Sequence, residues 1–164
     1  MVSDMISMNN KIISRDKLIG IVKDTRKKKK KIVTTNGAFD LFHVGHLNTI
    51  EFSKNLGDIL IVCLNSDNSI KRYKSKRRPI IPQEQRAEIV AAIEYVDYVI
   101  IFDEETPVEL LSLIKPDFHV KGSEYKNNLL EKEVIERNGG KLFFIERDDI
   151  STTKIIEKIL KSGG

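Results

Sequence analysis

The chain predicts a doubly wound, Rossmann-like α/β fold of five mainly parallel strands with helices on both faces. Three observations lead there. Five short apolar runs, Ile32–Thr35, Ile59–Leu64, Tyr98–Phe102, Phe118–Lys121 and Leu142–Ile145, fail to alternate cleanly, as strands covered on both faces do. Helical patterns with readable ends lie between them, and strands alternating with helices imply crossover connections and a parallel sheet. Finally, 164 residues, 40% hydrophobic and 32% charged, suffice for one domain with a substantial core.

Each helix can be justified in turn. Ser14 is placed to cap a first helix whose apolar face is Leu18, Ile19 and Val22. A second opens near His43–His46 and closes before Gly57, read as a C′ glycine. A third follows Pro82, with Ile89, Val90 and Ile93 on one face. A fourth opens at Thr106-Pro107-Val108-Glu109, read as a capping box with proline at the first helical position. A fifth, around Leu129 to Arg137, stops at Asn138-Gly139-Gly140. The last opens at Ser151-Thr152-Thr153 and is expected to bury Ile155, Ile156, Ile159 and Leu160. The expected organisation is a single domain over residues 14–161, with flexible ends at 1–13 and 162–164.

Bulk properties narrow the function. No run of 18 apolar residues exists, and the first ten residues lack a charged stretch followed by an apolar core. The single cysteine, Cys63, sits inside an apolar run and reads as buried filler in a reducing compartment. A cytoplasmic protein is expected, without membrane or nucleic-acid partners. The net charge of +4 is concentrated in two clusters. Arg26–Lys31 ends a helical pattern, where cations complement the helix dipole. Lys71–Arg78 reads as a basic loop suited to phosphates.

The richest segment is Thr35–His46, T-N-G-A-F-D-L-F-H-V-G-H. It leaves the first strand at its carboxyl end, where ligands bind in open parallel sheets. Gly37 allows close backbone approach to an anion, and the following helix points its N–H groups at the same spot. His43 and His46, at i and i+3, share one face of the first turn. Spacing alone leaves three readings open: an oxyanion site, a metal site lacking a third ligand, or ordinary surface histidines.

The string Gly37-Ala38-Phe39-Asp40-Leu41-Phe42-His43-Val44-Gly45-His46 resembles the G-x-F-D-x-x-H-x-G-H signature of the cytidylyltransferase-like nucleotidyltransferases. Ser151-Thr152-Thr153-Lys154-Ile155-Ile156 is similar to that family's second signature, a Ser/Thr-rich helix start that holds triphosphate. Within the family, segments such as Leu64-Asn65-Ser66-Asp67, Arg78-Pro79, Gln85-Arg86 and Val120-Lys121-Gly122 resemble the adenylyltransferase branch of ADP-heptose synthesis. Two departures, Ser123-Glu124 and Glu146–Ile150, are expected to border the base or acceptor pocket.

The resemblance implies attack by a sugar 1-phosphate on the α-phosphorus of a nucleoside triphosphate, ATP favoured, releasing pyrophosphate. D-glycero-D-manno-heptose 1-phosphate is the expected acceptor. His43, His46 and Lys74 would be catalytic. Thr35, Asn36, Gly37, Phe39, Gly45, Arg86, Lys121, Gly122, Ser151, Thr152 and Thr153 would bind nucleotide, and Asp67, Arg78 and Asp40 the acceptor, with Asp40 alternatively holding the turn. Mg²⁺ would arrive on the triphosphate rather than in a protein cage. A homodimer is possible, and about thirty residues before the first strand leave a separate kinase to supply the sugar 1-phosphate. The alternatives are a transferase for another nucleotide or acceptor, such as glycerol phosphate, and a non-catalytic nucleotide-binding module.

Overall fold

A computed structural model of the protein describes residues 10–127, 129–146 and 149–163. Residues 1–9 and 164 of the expected flexible ends, and residues 147–148 of the second departure, lie outside the described residues. The strands are β1 (Ile32–Gly37), β2 (Ile59–Asn65), β3 (Tyr98–Phe102), β4 (Phe118–Gly122) and β5 (Lys141–Ile145). They form one fully parallel sheet in the order β3-β2-β1-β4-β5. The helices are α1 (Arg15–Lys27), α2 (Val44–Lys54), α3 (Asp67–Tyr73), α4 (Gln83–Ala91), α5 (Val108–Ile114), α6 (Lys132–Arg137) and α7 (Thr152–Ser162).

Side-chain alternation along β2 explains the two-sided burial. Leu60, Val62 and Leu64 join Val33, Ile50, Val90 and Val99 on the face covered by α2 and α4. Ile61 and Cys63 join Leu18, Ile100, Leu110 and Ile114 on the face covered by α1 and α5. Each fully buried Leu or Ile contributes roughly 1.5–3 kcal/mol of transfer free energy, so neither face alone carries the fold. Burial pushes the Cys63 thiol up to about 12, which makes it inert packing.

Several local expectations are corrected. Lys11–Ile13, expected with the loose N-terminus, is held at the sheet edge: Ile12 bridges Val99, and Ile13 N donates to Val99 O at 2.9 Å. Asn55 is the C-cap residue of α2, so Leu56 and not Gly57 is the C′ residue; a Cβ at Gly57 would stand 2.7 Å from Val33 Cγ2, so that glycine serves close packing. Pro107 is the N-cap residue of α5, and no side chain caps it, so Thr106 forms no capping box. The first three residues of the expected basic loop are helical: α3 carries Lys71, Arg72 and Tyr73, and is capped by Ser66, whose hydroxyl accepts from Ser69 N at 3.0 Å. Lastly, α7 covers its apolar face only in part, with Ile155 and Ile156 half-buried. Ile159 is 61% and Leu160 74% exposed, and Thr152 is the residue of α7 that is buried.

Candidate active site

In this strand order the chain goes from β1 outward through β2 to β3, then returns to the other side of β1 as β4. The carboxyl ends of β1 and β4 therefore flank the switch point, where crossovers diverge and leave a crevice. A cleft of about 290 Å³ opens there. Thr35 on β1 is tied to β4 by its hydroxyl, which donates to Val120 O at 3.0 Å. Asn36, Gly37 and Phe39 line the cleft beside it. The turn after β1 needs left-handed backbone, but Gly37 does not supply it. Phe39 (φ 50°) and Leu41 (φ 46°) do, at about 1–3 kcal/mol each in conformations that side chains disfavour. The turn is held in place by what its side chains touch.

The histidines follow. His43 is the N-cap of α2: its Nδ1 accepts from Gly45 N at 3.1 Å, and His46 Nδ1 accepts from His43 N at 3.4 Å. The rings stack with centroids 3.9 Å apart, and Phe39 and Phe42 pack against His46. Both Nδ1 atoms accept, so the neutral tautomer of each ring carries its proton on Nε2 as a donor. A Cβ at Gly45 would lie 3.1 Å from the His43 ring, so a side chain there would push the ring a few tenths of an ångström off the helix end. This modifies the expected anion site. Gly45, His46 and Leu47 N–H groups bond to His43 and are spent on the cap, so the imidazole Nε2–H groups add donors that the helix start has lost. His46 lines the cleft; His43 and Gly45 stand behind it.

Asp40 anchors the neighbouring segments. Its carboxylate accepts from Ile80 N at 2.9 Å, Ile81 N at 3.0 Å and Arg78 Nε at 2.9 Å. Its carbonyl accepts from Thr152 Oγ1 at 2.6 Å. Burial alone would raise the Asp40 pKa; the two N–H bonds and the guanidinium outweigh it and hold the carboxyl below its ordinary value. Of the two roles open for Asp40, this geometry favours holding the turn. Arg86, expected on phosphate, is 1% exposed and spends its guanidinium on Ala38 O, Ile81 O and Asp67 Oδ1. Asp67 and Arg78, expected on the acceptor, are thereby also part of a protein brace, and neither they nor Arg86 lines the cleft.

The remaining walls come from three places. On β4, buried Lys121 donates to Asn36 Oδ1 at 3.1 Å, lies 4.4 Å from the Tyr125 ring centre and pairs with Glu131 at 3.9 Å. The Glu124 carboxylate folds over Gly122 and would have to swing aside for any side chain there. Across the cleft stand Asn65, Glu105, Thr106 and Lys74, the last at the C-cap of α3. From α7, Thr152 reaches the cleft; Ser151 caps the helix by accepting from Lys154 N at 3.2 Å, and Thr153 is exposed outside it. Sequence reading missed Asn65, Glu105, Tyr125 and Glu131 as cleft residues. Asn65 was findable from its place at the carboxyl end of β2; Glu131 carried no signal.

The family profile described as cytidylyltransferase-like matches residues 34–158. The bifunctional protein HldE of Geobacter sulfurreducens is 44% identical over 156 residues, covering 94% of this chain and 32% of the relative. That of Campylobacter jejuni subsp. doylei is 46% identical over 154 residues, with the same 94% and 32% coverage. The chain thus spans about a third of the length of the curated relatives it matches. A crystal structure of the lipopolysaccharide core biosynthesis protein from Thermoplasma volcanium GSS1 aligns with TM-score 0.59 and 25% identity, covering 74% of this chain and 99% of that one.

Proposed function

The chain belongs to the cytidylyltransferase-like family, and from that premise we propose that it is a sugar 1-phosphate nucleotidyltransferase. It joins the nucleoside monophosphate of ATP to D-glycero-D-manno-heptose 1-phosphate and releases pyrophosphate, making an activated heptose for cell-surface polysaccharide in the cytoplasm. The carrying observation is the stacked His43–His46 pair at the switch point, with Lys74, Lys121 and Thr152 converging on the same cleft.

An oxygen of the sugar phosphate forms the new bond to the α-phosphorus as the bond to the β-phosphate bridging oxygen breaks. A phosphate monoester has its second pKa near 6, so at neutral pH the nucleophile is already a dianion and requires no general base. The protein's task is positioning and charge stabilisation. His46 Nε2–H, backed by His43, donates to oxygens that gain charge on the α- and β-phosphates. Lys74 approaches from the α3 side, and the α7 start receives the outer phosphates. Mg²⁺ neutralises the triphosphate when bound. It would be held mainly by phosphate oxygens and water.

The two sides of the cleft differ in chemistry. Tyr125, Leu129 and Leu130 offer an aromatic and apolar wall for a base, whereas Asn65, Glu105 and Thr106 suit the hydroxyls of a sugar. A kinase acting on the anomeric hydroxyl must supply the acceptor, and a homodimer is compatible with the exposed apolar residues. The test is a matrix of common nucleoside triphosphates against several sugar 1-phosphates, read by pyrophosphate release. ATP with the heptose phosphate should turn over fastest. A faster pair, such as CTP with glycerol phosphate, would reassign the substrates, and no release from any pair would overturn the reading.

A further inference from the structure

Glu131 is an unusual residue to find in a cleft for polyanions. It is 7% exposed and lines the cleft beside Tyr125, Leu129 and Leu130. Its ion-pair partner, Lys121 Nζ, stands 3.9 Å away, too far for a hydrogen bond, because that ammonium is drawn to Asn36 Oδ1 at 3.1 Å. The pair offsets charge without using up the acceptor sites of the carboxylate. A carboxylate repels phosphate oxygens, so Glu131 cannot be part of the triphosphate clamp. Ionised, it accepts and never donates. A buried acceptor left unpaired is costly, so a ligand that brings a donor to it is strongly preferred over one that does not.

We propose that Glu131 is a specificity residue that accepts a hydrogen bond from the nucleoside, either from an exocyclic amine of the base or from a ribose hydroxyl. The assignment rests on the nucleotidyltransferase reading above, which puts the base on the Tyr125–Leu130 wall. Lys121 then has a second duty, to orient the carboxylate toward the cleft.

Binding measured by titration calorimetry without acceptor tests this on the full chain. Wild type, Glu131→Ala and Glu131→Gln are each titrated with ATP, ITP, 2′-deoxyATP and 3′-deoxyATP. Wild type should bind ATP about 100-fold more tightly than whichever analogue lacks the recognised donor, and Glu131→Ala should discriminate by no more than about three-fold. If ITP is the weak ligand, the base amine is read, and Glu131→Gln, whose amide can donate to the inosine O6, should shift preference toward ITP. If a deoxy analogue is the weak one, the ribose is read. Equal wild-type affinity for all four ligands, or discrimination that survives Glu131→Ala, overturns the proposal. The near-isosteric Glu131→Gln decides the matter if the alanine variant fails a thermal-unfolding check, since retained wild-type discrimination there is equally fatal. Because no acceptor is present, a failure of catalysis in the substrate matrix is read separately from a failure of nucleotide discrimination.

Discussion

The starts of α2 and α7 both reach the cleft, and each is capped by its own N-cap side chain, His43 and Ser151. Beyond the first turn they part company. Helix α2 is seated in the core through buried Thr49, Ile50 and Ser53, and its hydroxyls bond back along the helix, Thr49 Oγ1 to Gly45 O at 3.0 Å and Ser53 Oγ to Thr49 O at 2.6 Å. Helix α7 leaves Ile159 and Leu160 in solvent and is fastened to the first loop by the bond from Thr152 to Asp40 O. Two elements with related anion-facing ends are thus positioned by opposite means, one by burial and one by a polar fastening. A change under α2 should disturb the whole sheet, whereas a change on α7 should matter only near Thr152.

The largest expected effect attacks the sheet itself. On the face of β1 and β4 turned away from α2, Thr34 Oγ1 and His119 Nδ1 are 2.7 Å apart. Burial, with the Lys121 charge, pushes His119 from 6.5 down to about 3. The unfolded chain therefore takes up a proton that the folded one refuses. Stability from this group is full above about pH 6.5 and is lost as pH falls toward 3, on the order of 4 kcal/mol in all. Urea unfolding at pH 7, 5 and 4 should show a slope that His119→Asn flattens; parallel slopes in the two proteins would remove His119 from the account.

Next comes the fastening. Asp40→Asn loses the charge opposite Arg78 and one acceptor for two buried N–H groups, and should cost about 3 kcal/mol in urea midpoint analysis. A loss under about 1 kcal/mol would mean the brace is redundant. His46→Ala should lower kcat/KM for pyrophosphate release about 100-fold, equivalent to about 2.7 kcal/mol. Activity within a few-fold of wild type would end its assignment as charge stabiliser. Thr152→Val, which keeps shape and deletes the donor, should cost about 1 kcal/mol and raise KM for the nucleotide more than it lowers kcat. Smallest of all, Leu160→Lys should change stability by less than about 0.5 kcal/mol; a larger loss by thermal unfolding would show that its face is covered in solution.

The same contrast explains what was legible in the sequence. Short apolar-rich runs located all five strands, although only β2 is close to uniformly apolar and buried: β4 carries His119 and Lys121, and β5 at the sheet edge is half-buried or exposed. The α2 start was legible because glycine and histidine at 43–46 have few other reasons to be so arranged. Partners distant in sequence were not legible. Arg86 looked like a surface or phosphate-binding arginine, and nothing local says that Ala38 O, Ile81 O and Asp67 converge on it. The apolar spacing of α7 implied a buried face, but periodicity records amphipathicity and not what covers it. Helix α3 was missed because its lysines and arginines outweighed the Ser66 cap and the buried Ile70.

The stretch between α3 and the Asp40 brace sets how the cleft's cations can move. Lys74 N is still bonded to Ile70 O at 2.9 Å, and Arg78 Nε is pinned to Asp40 at 2.9 Å. Only Ser75, Lys76 and Arg77 lie between these anchors, a reach of about 14 Å fully extended. Lys76 and Arg77 are exposed on that short leash. Their backbone stays tethered next to Lys74, which lines the cleft, so an approaching polyanion meets a local concentration of cations. Added salt should then slow capture of the triphosphate, and the on-rate should carry that dependence more than the off-rate.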